Sequence, residues 1–201
     1  MQLNSRIVAI TGASGAVYGL RLIEVLLKGG DDVSIIISPS GFLVLEQETD
    51  LRLKGNSVAI AKGLKKYFGR TKGLLTCYPS DDISSHLSSG SSSPRDMIVC
   101  PCSMGTLARI SCGISGNLIE RAADVVLKEK GRLILVPRET PLNQIHLENM
   151  LKLSRIGAHI IPAMPGFYHK PKKMEDLVDF VVGKVLDALG IENKMYKRWE
   201  P

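Results

Sequence analysis

The 201-residue chain is poor in aromatic residues and has no apolar run long enough to cross a membrane. Phe, Trp and Tyr make up 5% of it, which argues against a protein that stacks nucleic-acid bases on an aromatic platform. Hydrophobic residues still make up 44% of the chain, enough to bury a real core. The sequence therefore predicts a single globular domain over residues 1–201, with no membrane partner.

Recognisable metal-binding patterns are also missing. The four cysteines have neither the spacing of a zinc site nor a nearby pair of histidines. The doublet Asp81-Asp82 is not followed by a third carboxylate, so an Asp-rich magnesium motif is absent as well. We expect a protein that uses no metal and that keeps its thiols reduced in the cytoplasm.

Positive charge is in surplus. Lys and Arg number 26 against 20 for Asp and Glu, which gives a net charge of +6 at pH 7. Such a surplus suits an anionic ligand, including nucleic acid. Nothing else in the sequence favours nucleic acid, so we predict a small anionic ligand instead.

Short apolar runs alternate with helical patterns along the chain. The predicted strands are 6–10, 33–37, 97–100, 132–136 and 158–161, and the third and fourth are each closed by a proline. The predicted helices are 16–29, 42–48, 58–67, 104–112, 118–130, 144–154 and 177–189. This alternation predicts an α/β fold with a doubly wound parallel sheet, Rossmann-like or flavodoxin-like, in which the serine-rich tract 80–93 is a long loop.

Small and hydroxylic residues follow the predicted strands, where ligands of parallel sheets bind. The run 11–16, TGASGA, joins the first strand to a helix, and 103–106, SMGT, opens a second helix in the same way. Helix N-termini of this kind offer free N–H groups to an anion, although such a turn can also exist without a ligand. A nicotinamide enzyme is disfavoured, because Ser38 stands where an acidic residue would hold the ribose.

Three cations and one carboxylate lie where they can reach a phosphate. Arg121 and Lys128 are seven residues apart on one predicted helix and therefore share a face, unless they are simply solvated surface cations. Arg138 and Glu139 follow a buried strand at the predicted ligand-binding edge. A guanidinium there can bind a phosphate through two hydrogen bonds.

Ten short segments, in order and correctly spaced, resemble the UbiX family of flavin prenyltransferases, whose members were formerly called aromatic acid decarboxylases. They are TGASGA at 11–16, YGLR at 18–21, ETD at 48–50, SGSS at 89–92, CPCS at 100–103, GTL at 105–107, NLIERAADV at 117–125, LVPRE at 135–139, HLENM at 146–150 and PGFY at 165–168. The resemblance covers essentially the whole chain and implies a flavoprotein fold.

The resemblance also implies an activity. The enzyme would join the dimethylallyl group of dimethylallyl phosphate to N5 and C6 of reduced FMN, without a metal and with release of phosphate. The product, prenylated FMN, would serve a UbiD-type decarboxylase, and the chain would form a homododecamer. The alternatives are an FMN-dependent decarboxylase of the same fold that acts on C-terminal cysteines or on aromatic acids.

Site residues carry over by position. FMN would be held by Gly12, Ala13, Ser14, Ser38, Ser103, Met104, Gly105, Thr106 and Arg138. The allyl phosphate would be held by Ser89, Gly90, Arg121, Lys128, Glu139, Tyr168 and Lys184. The implied catalytic residues are Arg121 and Lys128 for the leaving phosphate, Glu139 for proton transfer between N5 and phosphate, and Ser14 with Glu48 for ring closure.

Three positions bear on how far this resemblance extends. Lys184 stands where many members carry an arginine on the phosphate, and Ile83 where some have a tryptophan. A lysine keeps the charge but loses the bidentate geometry of a guanidinium. Trp199 matches a C-terminal tryptophan of the family and is expected to close over a neighbouring chain's site.

Overall fold

The computed structural model describes residues 5–199 as alternating strands and helices. They are β1 (Ser5–Ile10), α1 (Ala16–Gly29), β2 (Asp32–Ile37), α2 (Pro39–Glu48), α3 (Ser57–Phe68), β3 (Leu75–Tyr78), β4 (Asp96–Cys102), α4 (Met104–Ser111), α5 (Leu118–Lys128), β5 (Arg132–Pro137), α6 (Gln144–Arg155), β6 (His159–Ile160) and α7 (Met174–Ala188). All six strands are parallel, in the order β3-β2-β1-β4-β5-β6. The predicted doubly wound α/β fold is confirmed. None of the helices described is both long and apolar enough to cross a bilayer.

Two apolar clusters cover the two faces of the sheet. Successive strand side chains point to opposite faces, so Val8 and Ile10 of β1 pack on one side while Ile7 and Ala9 pack on the other. Helices α1, α2, α3 and α7 cover the first face, and α4, α5 and α6 cover the second. Both faces of the central strands are therefore buried, as their continuous apolar sequences require.

Two predicted boundaries and one missing strand need correction. Strand β4 continues through Pro101 to Cys102 instead of ending before the proline, and β5 includes Pro137. A proline lacks only the N–H, and the Pro101 carbonyl still accepts from the Thr11 amide at 3.2 Å. Strand β3 was not predicted at all, because its four residues are too few to show an alternating pattern.

Paired charges tie the amino ends of the central strands together. Arg6 of β1 is buried and donates from Nε to Asp31 at 2.8 Å and from Nη1 to Asp96 of β4. Asp96 also accepts from Arg132 of β5, at 2.9 Å and 3.1 Å. This network lies at the opposite edge of the sheet from the turns that follow the strands, and its charges are matched within the protein.

Candidate active site at the carboxyl edge of the sheet

The loop after β1 is fastened to the end of β4. The Thr11 hydroxyl donates to the Pro101 carbonyl at 2.9 Å and accepts from the Ser103 amide at 2.8 Å. A side chain at Gly12 would collide with Ser40 at the start of α2, so only glycine lets the loop lie this close. The turns after β1, β2 and β4 therefore meet at one edge, as the sequence predicts.

Three helices begin at this edge. Ser38 caps α2 by accepting from the Gly41 amide at 3.0 Å, and Ser103 caps α4 by accepting from the Thr106 amide at 3.3 Å. Helix α1 instead begins after Gly15, whose φ is 106°, and has no side-chain cap from its own N-cap residue. Serine caps and a left-handed glycine thus bring three helix N-termini close to the loop.

Glu48 supplies the cap that α1 lacks. Its carboxylate accepts from the Gly15 amide at 2.8 Å and from the Ala16 amide at 2.9 Å. A negative charge is stabilising at a helix N-terminus, where backbone N–H groups are unpaired. The structure therefore places Glu48 directly beside the loop that contains Ser14, although 34 residues separate them in sequence.

Arg138 joins this loop from β5. Its Nε donates to the Ser14 carbonyl at 3.1 Å, and within residues 5–199 its two Nη groups make no hydrogen bond to protein. Glu139 follows, with Oε1 accepting from the Thr140 amide at 3.1 Å. The guanidinium thus keeps a free bidentate face at the same edge as the helix N-termini.

Sequence reasoning assigned no role to Tyr18. Its ring packs against Gly15 in the loop after β1. A Cβ at Gly15 would press on the Tyr18 ring, so the two are in close contact. Burial raises the pKa of Tyr18, Cys100 adds to that rise, and Arg138 opposes it. Tyr18 therefore stays neutral near pH 7 as part of the floor of the site.

This edge fits the phosphate of FMN. Gly12, Ser14 and Gly105 are exposed, and a Cβ at Gly12 would fill the space between the loop and α2. Backbone N–H groups, hydroxyls and a guanidinium with free Nη atoms form the donor set that a phosphate monoester requires. Ala13, Met104 and Thr106, which are also predicted to hold FMN, are buried.

A second group of predicted residues, Ser89, Gly90, Arg121 and Lys128, lies on α5 and in the serine-rich loop beside it. A Cβ at Gly90 would overlap the Glu129 carboxylate, and that carboxylate lies 3.8 Å from Lys128 Nζ. Arg121 lies seven residues, about two turns, before Lys128, and its Nη1 is 3.5 Å from Asp124. The adjoining Ser89 hydroxyl is 3.1 Å from Ser91 Oγ. The serine-rich loop is therefore packed on α5 and is not a linker.

A third group of predicted residues, Tyr168 and Lys184, lies on α7 and in the segment before it. The Tyr168 and Phe180 rings are 5.7 Å apart, and Lys184 Nζ lies 5.6 Å from the Phe180 centroid. Trp199, expected over a neighbour's site, stands edge-on to Tyr168 of its own chain at 5.7 Å. The structure thus places Tyr168 and Lys184 near one another.

The second and third groups do not meet within one chain. Helices α5 and α7 cover opposite faces of the sheet. Across the part of the chain that the structure describes, no hydrogen bond or ion pair links Arg121 or Lys128 to Tyr168 or Lys184. Within the described residues of one chain, these two groups are therefore not brought into contact.

Buried thiols line β3 and β4. Burial raises the pKa of Cys77 and of Cys102 to about 12, so both stay protonated at neutral pH. Groups of three or more His, Cys, Asp or Glu side chains that could hold a metal ion are not found between residues 5 and 199. The polar side chains described at this edge are hydroxyls, carboxylates and a guanidinium.

Comparisons with known proteins agree with this arrangement. The Flavoprotein family matches residues 2–186. The flavin prenyltransferase UbiX of Halalkalibacterium halodurans is 53% identical over 192 residues, which cover 96% of this chain and 91% of that protein. Identity at this level over nearly the whole chain shows a common fold and family.

Two solved structures are similar over nearly the whole chain. AnUbiX (PadA1), in complex with FMN and dimethylallyl pyrophosphate, has a TM-score of 0.88 at 36% identity, covering 100% of this chain and 99% of that one. A dodecameric FMN-dependent UbiX-like decarboxylase from Escherichia coli O157:H7 has a TM-score of 0.86 at 39% identity, covering 98% and 100%. By its match to these proteins, the chain belongs to the Flavoprotein family and, within it, to the UbiX flavin prenyltransferases, which are transferases that use FMN.

Proposed function

We propose that this protein transfers the dimethylallyl group of dimethylallyl phosphate to N5 and C6 of reduced FMN, without a metal ion. The observation that carries the proposal is the edge where Arg138, with free Nη groups, meets the N-termini of α1, α2 and α4. In this proposal FMN is held by Gly12, Ala13, Ser14, Ser38, Ser103, Met104, Gly105, Thr106 and Arg138.

The remaining site residues act on the allyl phosphate. Ser89, Gly90, Arg121, Lys128, Glu139, Tyr168 and Lys184 surround it. These cations are already in position before the reaction and stabilise the charge that develops on the leaving phosphate. A metal ion would otherwise supply that stabilisation. Glu139 carries a proton between the flavin N5 position and the phosphate, and Ser14 with Glu48 serves ring closure.

A homododecamer is part of the proposal. The α5 and α7 groups lie on opposite faces of one chain, so neighbouring copies would have to complete each site. Helix α6 supports such contacts, because Ile145, Leu147 and Leu151 are each at least half exposed. A similar E. coli protein is dodecameric.

We further propose that the prenylated flavin leaves for a UbiD-type decarboxylase in the cytoplasm. The free thiols of Cys77, Cys100, Cys102 and Cys112 fit a reducing compartment. The alternative is direct decarboxylation of a C-terminal cysteine or an aromatic acid by an FMN enzyme of the same fold. The two reactions differ in what happens to the flavin. Prenyl transfer changes it permanently, whereas a decarboxylase regenerates it.

The mass of the flavin therefore tests the proposal. The protein is incubated without oxygen with FMN, a reductant and dimethylallyl phosphate, and the extracted flavin is analysed by mass spectrometry. We expect a flavin heavier by one five-carbon unit. An unchanged flavin mass, with folded protein and several allyl donors tried, would disprove prenyl transfer.

A further inference from the structure

The C-terminal segment 193–198 makes four hydrogen bonds to one carboxylate of α7, that of Asp187. Arg198 donates to it from both Nη groups, at 2.7 Å and 3.2 Å, and the Tyr196 hydroxyl donates at 2.7 Å. Asn193 Nδ2 adds a further hydrogen bond at 2.9 Å. Both oxygens of Asp187 are therefore engaged by the segment that follows the helix.

Lys184 lies one turn before Asp187 on the same helix. Side chains three residues apart on a helix are neighbours, and a lysine and an aspartate at that spacing commonly form an ion pair. In the described chain Lys184 instead forms no ion pair, and its Nζ lies 4.9 Å from the Tyr196 ring centroid. Arg198 Cζ is 5.5 Å from the same ring and takes the carboxylate that Lys184 does not.

Both charges persist at neutral pH. Burial alone would raise the pKa of Asp187, but hydrogen bonds from Arg198 and Tyr196 outweigh it and hold the pKa below its usual value. The Tyr196 side chain beside it, and more weakly the Asp187 charge, hold the pKa of Lys184 above its usual value. An ionised carboxylate one turn from an ammonium attracts it, so Asp187 is a potential ion-pair partner of Lys184.

Arg198 has a side chain that is 55% exposed, and its two hydrogen bonds to Asp187 help to hold the C-terminal segment on α7. The same bonds occupy Asp187, and within the described residues Lys184 has no ion-pair partner. The same segment also orders Tyr168, since Trp199 stands against that ring.

We propose that Arg198 is a positioning residue that occupies Asp187 and so keeps the Lys184 ammonium free for the phosphate of the allyl substrate. The inference rests on the proposed function, in which Lys184 binds that phosphate. Without Arg198, the Asp187 carboxylate pairs with Lys184 and competes with the substrate for its charge. Arg198 thus acts through Lys184 and need not touch the substrate.

Isothermal titration of dimethylallyl phosphate into protein loaded with oxidised FMN tests this, because binding is then measured without transfer. Arg198→Met is expected to weaken affinity about ten-fold, the loss of roughly one charge-assisted contact. Asp187→Asn alone should bind about as well as the wild type, because a neutral amide does not capture Lys184. The double variant should recover affinity to within about two-fold of the wild type, since the competing carboxylate is gone.

Arg21→Met is the matched control. It removes the other arginine–aspartate pair of α7, Arg21 with Asp179 at 2.7 Å and 3.2 Å, and should leave allyl phosphate affinity unchanged. A double variant as weak as Arg198→Met would overturn the proposal and indicate that Arg198 binds phosphate itself. Unaltered affinity in Arg198→Met would overturn it too, and Arg198→Gln serves in its place if that variant does not fold.

Failure of prenyl transfer is seen separately, because the flavin mass is measured on the wild type and does not enter the titration. If the wild type binds dimethylallyl phosphate and Arg198→Met binds it more weakly, the positioning role is supported even when the flavin mass does not change.

Discussion

Arg138 connects the end of β5 to the loop after β1 across the carboxyl edge of the sheet. Its Nε reaches the Ser14 carbonyl from the end of β5, and its Nη groups are left for a ligand. One side chain therefore both shapes the loop after β1 and offers charge to whatever binds there. Removing it should affect ligand binding more than folding, because the residue is only partly buried.

Arg138→Ala is accordingly expected to weaken FMN retention. A hydrogen bond to a charged group contributes about 1.5–3 kcal/mol, which corresponds to roughly ten- to hundred-fold in Kd. Fluorescence titration with FMN measures the change. Arg155→Ala, an exposed arginine on α6, is the control and should titrate like the wild type; equal Kd values for Arg138→Ala and the wild type would remove Arg138 from the FMN site.

Individual residues of the site differ in how far the sequence could predict them. Serine at 38 and at 103, each before a helix, is a local N-cap signal that needs no knowledge of the fold. The cap that Glu48 provides to α1 joins positions on two different elements, and no local pattern encodes it. Only the resemblance to a known family singled out Glu48 from other helix-end carboxylates.

At the scale of elements, α1 carries the site because it lies unusually close to β4. A Cβ at Gly19 would overlap the Cys100 carbonyl, so the absence of a side chain sets the distance between helix and strand. The N-terminus of α1 lies less than two turns away from this point. Displacing the helix there would also displace the loop that it follows.

Gly19→Ala should therefore destabilise the protein, whereas Gly29→Ala at the end of the same helix should not. Overpacking costs about 1–3 kcal/mol, and no heavy atom lies within 4 Å of a Cβ at Gly29. Alanine at Gly29 should even stabilise slightly, by about 0.5–1 kcal/mol, because it favours helix. Thermal unfolding of the two variants measures the difference, and equal melting temperatures would contradict the close approach.

Most elements could be predicted from periodicity, and the misses have physical causes. The buried central strands show as continuous apolar runs, whereas β3, LTCY, lies at the sheet edge and is too short to show a period. Helix α7 begins at Met174, before its apolar pattern starts, because the Asp176 carboxylate accepts from the Lys172 amide at 2.8 Å. Which face of the sheet each helix covers was not visible in the sequence, so the separation of Arg121 from Lys184 was not foreseen.

At the scale of the whole molecule, α6 is the least buried helix against the sheet. Leu153 is its only buried residue, while Ile145, Leu147 and Leu151 are 64%, 52% and 51% exposed. Apolar side chains in this number on one helix are typical of a surface that another chain covers. The proposed assembly would supply that cover.

Leu151→Glu is expected to break the assembly into smaller species while each chain stays folded. A carboxylate buried in an apolar contact without a partner is strongly unfavourable, by several kcal/mol. Light scattering after size-exclusion chromatography gives the mass of the particle. Val58→Glu, at a residue 77% exposed on α3, is the matched control, and an unchanged mass for Leu151→Glu would mean that α6 lies outside the interface.

The charge network at the amino ends of the strands has a consequence for how such a protein can change over generations. Arg6, Asp31, Asp96 and Arg132 hold the strands together at their amino ends, away from the turns at the carboxyl ends. Substitutions at exposed positions of those turns, such as Ser14, can alter what is bound while this network still holds the sheet, because binding residues sit on loops that a rigid scaffold positions. Substitutions can therefore accumulate in one binding loop after another while the sheet keeps its structure.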